Sequence, residues 1–175
     1  MWQDFSNLQN QVGIFDSYQN YFNALVGWVK KYEEEINNQH EQLFVRSGLT
    51  TILEVDIEKY LSKKPEISLE LEIQRMFTER PKHIYALLRE IGDTLWGLVR
   101  FDTEKGCPCC MGAGLNYVLA IAHNTKEKKV ILECETCGYS ENVDGSKYTD
   151  GFSDIYPVND DDLVKYGVDC KKSFE

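Results

Sequence analysis

The 175-residue chain has no run of eighteen consecutive apolar residues, so no segment is expected to cross a membrane as a helix. Its opening, Met1-Trp2-Gln3-Asp4-Phe5-Ser6-Asn7, lacks a basic stretch followed by an apolar one; no export signal is read there, and the expected compartment is the cytoplasm. Positive charge is short. Nineteen Lys and Arg stand against twenty-nine Asp and Glu, a formal net charge of -10. Such a surface repels phosphate backbones, because affinity for nucleic acid comes largely from Lys and Arg displacing counterions. Direct nucleic-acid binding is therefore not expected, and a basic protein is the expected partner. Histidine is scarce too: His40, His83 and His123 lie far apart in no recognised arrangement, with His123 alone close to the cysteines discussed below. There is no P-loop, no glycine-rich dinucleotide turn, no G-x-S-x-G and no Cys/His nucleophile pairing, so the chain is not expected to be an enzyme. Internal repeats and low-complexity linkers are also missing.

What is present suits a folded protein: 42% hydrophobic and 27% charged residues exclude the disordered and collagen-like classes. The acidity is uneven. Residues 1–100 carry fifteen acids and eleven bases, whereas residues 101–175 carry fourteen acids and eight bases.

The first hundred residues read as helical. Phe15, Tyr18, Phe22, Leu25, Val29, Tyr32 and Ile36 recur in steps of three and four, the seam of a long amphipathic helix that extends to Leu43. Asp16 and Ser17 are placed to cap it, and Glu33-Glu34-Glu35 falls on its solvated side. The seam suits either a coiled coil between protomers or, with Tyr21, Val26 and Trp28 widening the stripe, packing inside one domain. Ser47-Gly48 ends the helix with a residue that tolerates a left-handed cap. Residues 49–55 fit a strand or a helical turn, Asp56 caps a short helix over 57–61, and Pro65 closes it. Ser68 caps a helix through Leu69, Ile73, Met76 and Phe77. Pro81 opens the next, whose face carries Ile84, Leu87, Leu88, Ile91, Leu95 and Leu98. Gly92 and Gly97 weaken that helix by roughly 1 kcal/mol each, which close packing on a neighbour would justify.

Helical spacing stops near Phe101. Residues 117–122 read as a strand, 124–128 as a polar turn and 129–133 as the returning strand, a hairpin. Residues 139–156 read as irregular with one further strand, after which Asn159-Asp160-Asp161-Asp162 caps a short helix over 163–166. The expected class is α+β, with a helical domain over 1–100 and a cysteine-bearing hairpin with an acidic extension over 101–175.

Cys107-Pro108-Cys109-Cys110 and Cys134-Glu135-Thr136-Cys137-Gly138 form two C-x-x-C pairs a hairpin apart. Two residues between ligands allow a tight turn whose N–H groups point at the sulfurs, and two such turns present four thiolates tetrahedrally. Gly138 supplies the positive φ that such a turn requires. The reduced thiols of a chain without an export signal favour metal over disulfides. A thioredoxin-like centre would start a helix, whereas Met111-Gly112-Ala113-Gly114 continues as loop. A zinc deaminase would need an H-x-E motif, which is missing. The segment 106–138 resembles zinc ribbons, which implies one structural Zn2+ held by Cys107, Cys110, Cys134 and Cys137. The extra Cys109 departs from that pattern and leaves Cys109 or Cys110 open as the second ligand. Cys170 reads as a free or partly buried thiol rather than a fifth partner in the cluster. A segment this short buries little apolar surface, so the hairpin is expected to fray without metal, whose binding contributes on the order of 10 kcal/mol.

The acidic and aromatic run Tyr139, Glu141, Asp144, Tyr148, Asp150, Asp154, Tyr156, Asp160, Asp161 and Asp162 reads either as a solvated loop or as a recognition surface. In the second reading, rings supply rigid contact area and carboxylates steer a basic partner. By this combination of features the chain resembles bacterial immunity proteins of polymorphic or contact-dependent toxin systems, some of which bear a zinc ribbon. The resemblance implies binding and neutralisation of a basic toxin domain, often a nuclease. The alternative is a zinc-ribbon regulator or adaptor contacting nucleic acid or the transcription machinery; a third is an oligomeric scaffold built on the long seam.

Overall fold

The computed structural model describes residues 1–10, 18–46, 48–60 and 83–168. The expectations placed on Phe15, Asp16, Ser17, Ser47, Pro65, Pro81, Cys170 and the Ser68 helix lie outside these residues. The chain is α+β and divides into two compact units, Met1–Val99 and Arg100–Glu175.

The first unit is helical: α1 Trp2–Asn10, α2 Tyr18–Arg46, α3 Leu49–Ile52, a 3-10 turn Ile57–Lys59, and α4 Ile84–Val99. The α2 seam is buried within the chain. Phe22, Leu25, Val29 and Ile36 join Leu87, Leu88, Ile91 and Leu95 of α4 in one core, which decides the seam in favour of intramolecular packing over a coiled coil. Each such side chain stabilises the unit by roughly 1.5–3 kcal/mol on burial. The sequence reading had no element at α1. That helix is fixed to α2 by Phe5, whose ring packs T-shaped with that of Trp28, centroids 5.1 Å apart, and by Asp4, which accepts hydrogen bonds from Lys31 and Tyr32.

Residues 49–52 resolve as helix rather than strand. Gly48 sits at φ 67°, as its place after α2 predicts, and a Cβ there would come within 2.8 Å of the Trp96 indole nitrogen, which donates to the Gly48 carbonyl. Asp56 caps the 3-10 turn by accepting from the Glu58 N–H. Gly92 is buried on α4, in keeping with a packing role. All three tryptophans, Trp2, Trp28 and Trp96, belong to this unit.

The second unit contains β1 Phe101–Gly106, β2 Gly114–Ala122, β3 Lys128–Glu133, β4 Ser140–Asn142, β5 Phe152–Pro157 and α5 Asp160–Lys165. The expected hairpin is β2–β3, paired antiparallel from Asn116↔Glu133 to Ile121↔Lys128. It is the centre of a larger sheet. Along the other edge of β2, β1 pairs with its first half and β5 with its second, while β4 pairs with β3.

Both faces of β2 are covered by side chains, which is why its sequence is almost continuously apolar instead of alternating. On one face Leu119 and Val130 pack with Phe101, Val158, Leu163 and Val168; on the other Val118, Ala120 and Ile131 pack with Tyr148. Two expectations are corrected here. The stretch after Cys137 supplies two strands instead of one, and the hairpin is not left to a metal for its core, because residues far along the chain return to cover it. Asn159 and Asp162 form a reciprocal capping box on α5, which begins at Asp160 rather than at 163.

Candidate metal centre

Two turns, referred to here as knuckles, leave the sheet at the same end. The first follows β1 and the second follows β3. Their backbones repeat one pattern. The Cys107 N–H donates to the Ala113 carbonyl and the Met111 N–H to the Cys107 carbonyl; correspondingly, the Cys134 N–H donates to the Tyr139 carbonyl and the Gly138 N–H to the Cys134 carbonyl. The fourth residue after the first cysteine of each knuckle has a positive φ: Gly138 at 69°, as expected, and Met111 at 54°. Met111 escaped the sequence reading because it is not a glycine. Counting four residues from each leading cysteine is the signal that would have found it.

The knuckles bring the Sγ atoms of Cys107, Cys110, Cys134 and Cys137 within 4.8 Å of one another. The closest pairs run between knuckles, Cys107 to Cys137 at 3.6 Å and Cys110 to Cys134 at 3.7 Å. A tetrahedron with metal–sulfur bonds of about 2.3 Å has edges of about 3.8 Å, so this spacing fits a metal ion. Cys109 is exposed and outside the cluster, which resolves the choice of second cysteine in favour of Cys110. Its backbone N–H instead points at the Cys107 sulfur at 3.4 Å. His123 and His83 are exposed, and neither belongs to the cluster.

Burial raises the Cys107 thiol, but the N–H groups of Cys110 and Cys109, with the neighbouring sulfurs, hold it at about 7. Cys134 is pushed up by burial and by the Cys107 and Cys110 sulfurs. The Tyr139 N–H favours the Cys137 thiolate, yet desolvation and the three other sulfurs push that thiol up to about 12. Four thiolates cannot share so small a space without a cation among them. Below β3, Glu135 pairs with Arg100, which offsets one acidic charge on the second knuckle.

The acidic and aromatic run is not one surface. Glu141 is only 2% exposed, and its carboxylate pairs with Lys105 and accepts from the Tyr139 hydroxyl at 3.1 Å. Tyr148 is 5% exposed and covers the sheet. Neither Glu141 nor Tyr148 faces a partner as the sequence suggests, because a side chain already enclosed has no area to offer. Asp144 is exposed but caps its own turn through Ser146, and Asp162 caps α5. Tyr156 is half-buried, with the Lys128 ammonium 5.8 Å from its ring centre, and Tyr139 is half-buried against the cysteine cluster. Asp150, Asp154, Asp160 and Asp161 remain exposed. No helix among the described residues is long and apolar enough to cross a membrane. Comparison of the chain with protein-family models, curated proteins and solved structures finds no match.

Proposed function

We propose that the four-cysteine cluster holds one structural Zn2+, and that the acidic unit it braces binds and neutralises a basic protein in the manner of bacterial immunity proteins. Four soft sulfur donors at tetrahedral spacing favour zinc or iron, and zinc is the usual ion of a closed four-sulfur structural site. With all four positions taken by protein sulfurs, no coordination site is left for water, so the role is structural rather than catalytic. Metal analysis of the purified chain is expected to give one zinc per molecule.

The observation that carries the partner reading is the set of exposed carboxylates Asp150, Asp154, Asp160 and Asp161, in a stretch with fourteen acids and eight bases. Such a surface raises the rate of encounter with a basic domain and discriminates against acidic ones. The test is titration of the chain with a basic nuclease toxin domain encoded beside its gene. Tight binding is expected, with association slowing as salt rises and toxin activity lost in the complex. Absence of a complex at micromolar concentration would overturn the reading, and a salt-sensitive shift of bare DNA would favour the regulator in its place.

A further inference from the structure

Glu141 occupies the one fully enclosed position of β4, between half-buried Ser140 and Asn142. An apolar side chain there would serve the core at least as well, because enclosing a carboxylate is costly unless its partners are well placed. Its partners are informative. Lys105 lies two residues before Cys107 and leads into the first knuckle; Tyr139 lies two residues after Cys137 and leads out of the second. One carboxylate therefore holds both knuckles at once, Lys105 by an ion pair and Tyr139 by a hydrogen bond. Tyr139 also contributes its carbonyl to the Cys134 N–H, so its placement bears directly on a ligand-bearing turn.

We propose that Glu141 is a positioning residue for the metal centre: through Lys105 and Tyr139 it ties the two knuckles together, so that the four sulfurs are gathered before an ion arrives. The ordering that the ion would otherwise have to impose is already done by the protein. Groups beyond the ligands that orient them in this way change metal affinity by about 10- to 100-fold when removed. The inference rests on the metal reading above.

The experiment measures Zn2+ affinity by competition with a chromophoric chelator, and the Co2+ absorption spectrum, for the full chain and for Glu141→Ala, Glu141→Gln and Tyr139→Phe. Glu141→Ala is expected to bind about 10- to 100-fold more weakly while keeping the four-sulfur cobalt spectrum. Tyr139→Phe, which removes one hydroxyl and spares the fold, is expected to lose affinity in the same direction by less. Glu141→Gln keeps an acceptor for the Tyr139 hydroxyl and is expected to recover part of the loss. A purely structural role would lower the melting temperature of the metal-free variants and leave affinity untouched. Equal affinity in the native chain, Glu141→Ala and Tyr139→Phe would overturn the positioning role and leave the metal site standing. Failure of the native chain to take up stoichiometric metal would overturn both.

Discussion

Cys109 and Cys110 are neighbours with different fates, and the difference is a matter of where one sulfur points. The Cys110 sulfur faces Cys134 at 3.7 Å, whereas Cys109 is exposed and contributes only its backbone N–H to Cys107. Cys110→Ser is expected to weaken metal binding by more than about hundredfold, beyond what the loss of an outer group produces, while Cys109→Ser leaves it unchanged. Metal content after dialysis against a chelator checks this, and retention of metal by Cys110→Ser would reassign the ligand. The spacing of the cysteines made the cluster readable from the chain, since two residues between ligands is a local geometric requirement. Glu141 and Tyr148 were misread as surface for the converse reason. Acidic and tyrosyl residues in a glycine-rich stretch read as exposed, and only pairing with distant Lys105 or Lys129 and cover over β2 encloses them.

At the scale of elements, α2 and α4 were legible because their apolar residues recur at the helical period, and α5 because its cap is written in four consecutive residues. β1 was not, and β4 and β5 were legible only as a single strand somewhere in 139–156, since what makes β1 and β5 strands is β2, whose second edge they share from opposite ends of the unit. The short α1 carries one fully buried ring, Phe5, too little for a periodic signal. This division decides what metal removal should do. The buried cores around Leu119 and Ala120 include no cysteine, whereas Cys107 and Cys134 pack with Leu115 and Leu132, the half-buried Tyr117 joining this cluster to the Leu119 core. Chelation is therefore expected to speed amide hydrogen exchange at Met111, Cys134 and Gly138 while Val118, Leu119 and Ala120 stay protected. Loss of protection throughout the second unit at once would show that the sheet depends on the ion after all.

For the molecule as a whole, charge and protons set the conditions of loading. Without an ion, Cys134 and Cys137 are pushed up and keep their protons at neutral pH, Cys137 to about 12, while Cys107 ionises near 7. An ion binds thiolates, so uptake must expel at least the two protons of Cys134 and Cys137 between pH 7 and 9. Affinity should then rise about hundredfold or more per pH unit in that window and fall as acid is added. Competition titrations at three pH values check the slope, and a pH-independent affinity would contradict it. The formal charge of -10 adds to the attraction for a cation at low salt, an effect that screening removes.

Because Trp2, Trp28 and Trp96 all lie in the first unit, indole emission is a private channel for the helices. Trp96, whose ring nitrogen donates to the Gly48 carbonyl, reports the joint between α2 and α3. The sheet and its sulfurs carry no indole, so melting of the helical unit can be watched by itself without a label.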